Sequence, residues 1–229
     1  MDHIKFHNYI RTRMDQKEKQ ATSFVTISRQ AGAGGITIGE KLASYLNKQL
    51  PSGCSWTVFD KSLVHEVIKD HNLSERMLLF LKEKNIPEIQ DTFEDVLRLH
   101  PAQFSLVQKT NQTIFRLAEM GHTILVGRGA TVVTKDIAGG IHVRLVGSFK
   151  KRKEHIKEYY KFEDKEAKDF IKNEDKGRAE YLKKYFDKDI DDPLLYDVVI
   201  NTDKMSYDNA VLLIGGMVIQ KRKHEEKRF

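Results

Sequence analysis

The sequence is poor in the features that mark secreted and membrane proteins. Its 229 residues include one cysteine and four prolines. A single cysteine, Cys54, cannot form an internal disulfide, which favours a reducing compartment. No apolar stretch approaches the roughly 20 residues that a membrane-spanning helix needs. The charged N-terminus also lacks the apolar segment of a secretory signal. We therefore expect a cytoplasmic protein without a membrane partner.

Positively charged residues outnumber negatively charged ones, which gives a formal net charge of +6. This surplus suits an anionic ligand, but it does not choose between a nucleotide, a nucleic acid and an acidic substrate. Lysine and glutamate alternate along much of the chain, which is typical of solvated helix faces. We therefore do not expect nucleic acid as the main partner, and the oligomeric state stays open.

Short apolar runs alternate with helical patterns along the chain. The runs are rich in β-branched residues and apolar on both faces, which predicts buried strands of a parallel sheet. They lie at 24–27, 56–59, 123–127, 141–146 and 197–200. Helical patterns occupy 37–50, 61–70, 74–84, 101–120, 149–160, 163–186 and 207–220. This alternation predicts an α/β fold with right-handed crossovers.

Two segments between strands, 61–121 and 148–192, are much longer than a crossover needs. We interpret them as helical inserts at the carboxyl edge of the sheet, within one domain that spans 23–220. The ends, 1–22 and 221–229, are interpreted as charged extensions.

A glycine-rich turn follows the first predicted strand, in SRQAGAGGITIG. Glycines let successive backbone N–H groups turn inward around a phosphate, and the next helix points its positive amino end at the same anion. Gly32, Gly34 and Gly35 supply the turn, and Thr37 supplies a hydroxyl for Mg²⁺. In the loop of nucleoside monophosphate kinases a lysine stands where this chain has Gly35. The pattern also fits a plain strand-to-helix turn.

Further stretches follow the other predicted strands and the second insert. They are VFDKSLV with Asp60, VGRGATVV with Arg128, NEDKGRAEYLKKYF with Asp175 and Arg178, and DVVINTDKMSYDNAV. Together with ISRQAGAGG, these motifs resemble the cytidylate kinase-like family, over residues 23–218. Each motif is moderately specific by itself, and the resemblance is strong because the motifs occur in this order and at this spacing.

The resemblance implies a P-loop NTPase fold with a five-stranded parallel sheet sandwiched by helices, an acceptor-binding insert and a lid. It implies transfer of the γ-phosphoryl group of ATP, with Mg²⁺, to a nucleoside monophosphate or a similar small phosphorylated acceptor. Thr37 matches the magnesium ligand of the family. The residues that match its phosphate loop are Gly32, Ala33, Gly34, Gly35, Ile36 and Thr37.

The resemblance also assigns acceptor-site residues. Asp60 matches a carboxylate at the acceptor site, and Arg128 matches an arginine that contacts the acceptor nucleotide. The family has an aspartate where this chain has Gly129, so that contact does not carry over. Asp60 also suits the N-cap of the helix predicted to follow it.

Lid and donor residues follow in the same way. Arg178, after Asp175, matches a lid arginine that faces the transferring phosphates, although the pair also fits a surface ion pair. Arg152, in the cluster KKRK, is our candidate for a further lid cation. Asn201 and Thr202 fall where the family's last loop borders the adenine.

The missing lysine needs a substitute if the loop is catalytic. Lys41 lies one helical turn beyond Thr37, which carries it away from the phosphates. Arg29 is the better candidate, because its planar fork grips phosphate oxygens in pairs and stays charged. Our hypothesis is that Arg29, with Arg128 and Arg178, does the work of the lysine. The alternatives are a nucleotide-binding regulator without transfer activity and a basic nucleic-acid-associated protein.

Overall fold

The computed structural model describes residues 23–51, 54–60 and 101–226. Its five strands are β1 (Phe24–Arg29), β2 (Thr57–Phe59), β3 (Thr123–Val126), β4 (Gly140–Val146) and β5 (Val198–Asn201). Its α-helices are α1 (Gly35–Gln49), α2 (Pro101–Met120), α3 (Ala130–Val133), α4 (Phe149–Tyr160), α5 (Asp164–Phe186) and α6 (Tyr207–Glu226). A 3-10 helix, Pro193–Leu195, precedes β5. All five predicted strands are confirmed.

The strands form one parallel sheet in the order β2-β3-β1-β4-β5. β1 is the central strand, and it pairs Ile27 with Val126 of β3 and Arg29 with Leu145 of β4. Because all strands run the same way, their carboxyl ends meet at one edge. The loops after β1, β3 and β4 therefore lie side by side, as expected for a ligand site in this architecture.

Helices cover the sheet on both faces. Val25 and Ile27 of β1 point into a cluster with α1 and α6, which includes Leu42 and Ile214. Phe24 points the other way, into a second cluster with α2 and α3. Both clusters are fully buried at their centres, and each such apolar side chain contributes about 1.5–3 kcal/mol. The α/β prediction with helices on both faces is thus confirmed.

The described part of the first predicted insert is a core helix. α2 buries Ile114, Leu117 and Met120 in the same cluster as Phe24, so it forms the crossover that leads to β3. The helices predicted at 61–70 and 74–84, and the N-terminal extension 1–22, lie outside the described residues. Across the described ranges, no helix combines the length and the apolarity needed to cross a membrane.

Two local features differ from the sequence-based expectation. The last helix does not end at residue 220 but continues to Glu226, and Arg222 within that continuation is buried. The short helix α3 was not predicted, because its four residues are too few to show a helical period. Both features come from packing against the sheet, which a local pattern does not reveal.

Candidate active site

The glycine loop joins the central strand β1 to helix α1 at the carboxyl edge of the sheet. Gly32 and Gly34 both have φ of +80°, a conformation that residues with a side chain rarely adopt. A Cβ on Gly32 would lie 2.5 Å from the carbonyl oxygen of Arg152. Gly34 is the N-cap of α1, and its carbonyl accepts a 2.8 Å hydrogen bond from Ile38. The backbone therefore requires glycine at both positions.

A cavity of about 360 Å³, which we call the loop cavity, opens over this turn. Of the residues matched to the phosphate loop, those that line it are Gly32, Gly34, Gly35, Ile36 and Thr37. Ala33 is instead buried beneath the loop, in the core cluster. Asp60 also lines this cavity. A helix amino end and a glycine turn facing one cavity are the arrangement that binds phosphate.

The same cavity suits a hydrated Mg²⁺ next to a phosphate chain. Mg²⁺ keeps several waters and takes one or two protein oxygens together with phosphate oxygens. Thr37 offers a hydroxyl and Asp60 a carboxylate to this space. In the described ranges, no group of three or more His, Cys, Asp or Glu side chains forms a metal site of its own.

Arg29 ends β1 and lies between the loop cavity and a second cavity. Within the part of the chain that the structure describes, its guanidinium has no hydrogen-bond or ion-pair partner. Burial and the neighbouring Arg178 lower the pKa of Arg29 from 12.5 to about 9, against the opposing pull of Glu174 and Asp60. The group therefore remains charged at neutral pH without a counter-ion in contact, which favours an anionic ligand.

Two glycines make room for the Arg29 side chain. A Cβ on Gly35 would lie 2.9 Å from Cγ of Arg29, and a Cβ on Gly127 would lie 2.9 Å from its Cζ. The stem of Arg29 thus passes directly over the position where the related loop carries its lysine. Glycine at position 35 and arginine at position 29 are therefore sterically linked.

The second cavity, of about 260 Å³, lies beside the ends of β1 and β3 and is covered by α5. We call it the arginine cavity, because Arg29, Arg128 and Arg178 all line it. Arg128 has φ of +57° and stands between Gly127 and Gly129, which also have positive φ. A non-glycine residue in this conformation is strained, and such strain is concentrated at functional sites.

The glycine that replaces the family aspartate has a packing reason. A Cβ on Gly129 would lie 2.6 Å from the ring of Phe186 in α5. An aspartate there would collide with this ring and would also need φ of +70°. On this side the arginine cavity is lined by helix α5.

One face of α5 supplies the remaining polar groups of the arginine cavity. Glu174, Arg178 and Tyr181 are spaced three and four residues apart, so they point the same way. Arg178 donates to the Glu174 carboxylate at 2.6 Å and to the Arg29 carbonyl oxygen at 3.2 Å. Burial raises the pKa of Tyr181 to about 12, although Arg128 opposes the shift. Its phenol therefore stays protonated and can donate a hydrogen bond.

Arg152 and Asp175 hold the back of the glycine loop. The side chain of Arg152 is only 8% exposed and donates to the carbonyl oxygens of Ala31 and Gly147 at 2.9 and 3.0 Å. It also pairs with Asp175 at 2.7 Å, and the same carboxylate accepts the Ala31 N–H at 2.6 Å. His155 of α4 contacts the Gly32 carbonyl at 2.8 Å. These residues, which we name the loop clamp, fix the loop through its backbone.

The residues matched to an adenine site lie outside both cavities. Thr202 donates to the Val146 carbonyl at 3.1 Å, and the Asn201 side chain accepts the Asp203 N–H at 2.9 Å. Lys41 is likewise remote from the loop, since its ammonium pairs with Asp208 of α6 at 2.6 Å. The structure thus brings Arg29, Asp60, Arg128 and Arg178 to the cavities but keeps Asn201 and Thr202 in their own turn.

Several site residues were missed by sequence reasoning. The helical spacing of Glu174 and Tyr181 with Arg178 was a usable signal, because these positions share one face of a predicted helix. In the sequence, Arg144 is visible only as a charged residue that interrupts an apolar strand. It is 4% exposed, donates to Ser28 at 3.0 Å and pairs with Asp191 at 2.7 Å, behind the wall of the arginine cavity. No local pattern indicated that contact.

A parallel sheet with a glycine loop and an adjoining cation at the end of its central strand defines a P-loop kinase-like protein. Residues 24–204 match the model of the cytidylate kinase-like family, and the chain belongs to this family. This membership supports a nucleotide kinase-like role. Among curated proteins, no sequence matches the chain.

Three of the matching solved structures show the range of similarity, and the first of them shares the fold. An uncharacterized protein from Eubacterium ventriosum ATCC 27560 is 23% identical, with a TM-score of 0.64 over 87% of this chain and 99% of its own. Shikimate kinase from Bacteroides thetaiotaomicron is 15% identical, with a TM-score of 0.46 over 86% and 99%. TT1252 from Thermus thermophilus is 10% identical, with a TM-score of 0.44 over 85% and 97%.

Proposed function

We propose that the protein transfers the γ-phosphoryl group of ATP to a nucleoside monophosphate of the cytidylate type or a similar small phosphorylated acceptor. The observation that carries the proposal is the guanidinium of Arg29, which has no partner among the described residues and lies between the loop cavity and the arginine cavity. A charge in that position reaches a donor phosphate on one side and an acceptor phosphate on the other.

Each cavity has a separate task in this reaction. The amides of the glycine loop hold the phosphates of the donor, and Arg128 holds the acceptor phosphate. An oxygen of the acceptor phosphate forms a bond to the γ-phosphorus while the bond from that phosphorus to the β–γ bridging oxygen breaks. ADP leaves with the electron pair of the broken bond.

The positive groups stabilise the charge that spreads over the transferring phosphoryl group. Such transfer depends mainly on positioning and electrostatic stabilisation, and fixed cations contribute most where water is excluded. Arg29 and Arg178 line both cavities and so serve this purpose. Mg²⁺, held by Thr37 and Asp60, would supply additional neutralisation of phosphate charge.

Helices α4 and α5 act as the lid in this proposal. They cover the loop cavity with Ile156 and Phe170 and the arginine cavity with Tyr181 and Leu182. Excluding water ensures that the acceptor, not solvent, receives the phosphoryl group. Asp175 and Arg152 contribute indirectly, because the loop clamp holds the cradle in shape.

A nucleotide-binding regulator without transfer activity is the second candidate. Glycine at position 35 favours it, because the loop lacks the lysine that normally accompanies the transferring phosphate. In this case the loop cavity would bind nucleotide while the arginine cavity takes no acceptor.

The two candidates are separated by binding and transfer measured on the same protein. ATP binding is measured by calorimetry with and without Mg²⁺. Phosphoryl transfer is then assayed against the common ribo- and deoxyribonucleoside monophosphates. We expect Mg-dependent ATP binding and transfer to at least one pyrimidine monophosphate. Tight Mg-ATP binding with no transfer to any acceptor would establish the regulator instead.

A further inference from the structure

Two exposed aromatic rings of helix α4 line the loop cavity. Tyr159 is 63% exposed and Tyr160 is 47% exposed, at the end of helix α4. The Tyr160 ring is stacked on Phe162, with centroids 5.3 Å apart and planes at 22°, and Phe170 lies 5.3 Å from it. We call these four residues the aromatic shelf.

The shelf is built so that one ring stays in solvent. Tyr160, Phe162 and Phe170 support one another, and Phe162 and Phe170 also pack on the small apolar cluster under the lid. Tyr159 makes an edge contact with Tyr160, with centroids 4.8 Å apart, and a tilted contact with His155 at 6.2 Å, and most of its surface stays exposed. Aromatic side chains normally bury much of their surface, so a rigidly supported ring left open beside a cavity indicates a flat apolar ligand.

The position of the shelf identifies the ligand. Tyr159, Tyr160 and Phe170 line the same cavity as Gly32, Gly34 and Thr37 of the glycine loop. One continuous space thus has a phosphate cradle at its floor and aromatic rings at its rim. A molecule that carries both a phosphate chain and a flat ring system fills both parts, and a nucleotide is such a molecule.

The alternative place for the base, beside Asn201 and Thr202, belongs to neither cavity. Around Gly147, at the β4–α4 turn, a Cβ would lie 3.0 Å from the Asp203 carboxylate and 3.1 Å from the Thr202 hydroxyl. The turn is also tied by hydrogen bonds from Gly147 N–H to Gln30 and from Ser148 N–H to Asp203. These contacts hold the β4–α4 and β5–α6 turns close together at Gly147.

We propose that the aromatic shelf stacks the nucleobase of the nucleotide whose phosphates lie on the glycine loop, with Tyr159 as the stacking ring. This inference rests on the proposed function and identifies where its donor base binds. Stacking on an aromatic face accepts every base, because each base has a π-face. The donor site therefore takes purine and pyrimidine triphosphates, with purines bound more tightly for their larger ring area.

The test compares Mg-ATP with Mg-tripolyphosphate, which has the phosphates but no base. In Tyr159→Ala we expect Mg-ATP binding to weaken by roughly 5- to 100-fold, the usual effect of removing one stacking ring. Tripolyphosphate binding should change by less than about twofold, because the cradle is intact. Calorimetry or competition with a fluorescent nucleotide measures both.

Matched variants define the readout. Tyr159→Phe keeps the ring and should bind Mg-ATP within about twofold of wild type, whereas Tyr159→Leu keeps apolar bulk without a π-face and should resemble Tyr159→Ala. Leu212→Ala, an exposed apolar residue on α6 that lines neither cavity, is the distant control. Binding of cytidine monophosphate without ATP is measured in the same variants. It shows whether the aromatic shelf stacks the base of the acceptor instead of the base of the donor.

Three results would overturn the inference. The first is equal weakening of ATP and tripolyphosphate in Tyr159→Ala, which would mean that Tyr159 only shapes the lid. The second is unchanged ATP binding in that variant. The third is loss of cytidine monophosphate binding with ATP binding retained, which would assign the shelf to the acceptor. Wild-type protein that binds neither ATP nor tripolyphosphate would instead refute the proposed function itself.

Discussion

The glycine loop has one face tied to neighbouring helices and one face open to a cavity, and the two faces use their arginines differently. On the tied face, Arg152 donates to two carbonyl oxygens and pairs with Asp175. On the open face, Arg29 has no such partner among the described residues. A buried guanidinium with partners stabilises structure, whereas one without them raises the free energy of the folded state until an anion arrives. The contrast separates a structural arginine from a binding one.

The largest expected effect comes from removing the unpartnered charge. In Arg29→Met we expect Mg-ATP binding or transfer to fall by roughly 10²–10³-fold, as when one preorganised donor is removed from a reacting group. The free energy of unfolding should stay the same or rise, because a partly buried charge with no partner among the described residues is replaced by an apolar chain of similar length. Calorimetry and urea denaturation measure the two quantities. A large loss of stability would show that Arg29 is structural.

Removing the paired arginine should produce the opposite profile. In Arg152→Met, the Asp175 carboxylate and the Ala31 carbonyl oxygen lose their partner in a site with little solvent. We expect a loss of about 2–3 kcal/mol in the free energy of unfolding. Lys150→Met, an exposed lysine in the same cluster, is the matched control and should change it by less than about 0.5 kcal/mol. Unchanged stability in Arg152→Met would remove the basis for calling these contacts a clamp.

The steric link between positions 29 and 35 gives a sharper test. Gly35→Lys in the wild-type background should reduce activity, because the new Cβ would approach Cγ of Arg29 to 2.9 Å. In the Arg29→Ala background the same lysine has space and should restore Mg-ATP binding by about tenfold over Arg29→Ala alone. Binding of the double variant measured beside each single variant decides this. Additive losses would mean that the two positions do not serve the same phosphate.

The smallest effect is expected at Lys41, the first basic residue after the glycine turn. Its ion pair with Asp208 is exposed at both ends, and such pairs contribute about 0–1 kcal/mol. Lys41→Ala should therefore leave Mg-ATP binding within about twofold of wild type. Equilibrium titration of the variant is sufficient. A loss comparable to that of Arg29→Met would mean that Lys41, on α1, does the work of the missing lysine.

The architecture was predictable because its signals are local. Five apolar runs bounded by turns marked every strand, and the glycine turn with Thr37 followed the first of them. Parallel pairing then placed Arg29 and Arg128 at one edge, since each ends a strand or follows one. This much follows from periodicity and from the rule that crossovers are right-handed.

The side-chain partnerships were not predictable from the sequence. Arg152 and Asp175 are 23 positions apart, and both contact Ala31 from more than 100 positions away. Such contacts depend on how α4 and α5 lie across the loop, which no local period encodes. The same holds for Gly129, whose identity is explained by the ring of Phe186.

The location of Arg29 on the central strand has a mechanical consequence. A cation carried by the loop or by the first turn of a helix would shift with any movement of that turn. Arg29 instead extends from β1, which pairs with β3 up to Ile27 and with β4 as far as Arg29, opposite Leu145. The charge is thus anchored on the central strand of the sheet, separately from the glycine turn that faces the loop cavity. The segment that shapes the phosphate site and the segment that carries the charge are thus two different parts of the backbone.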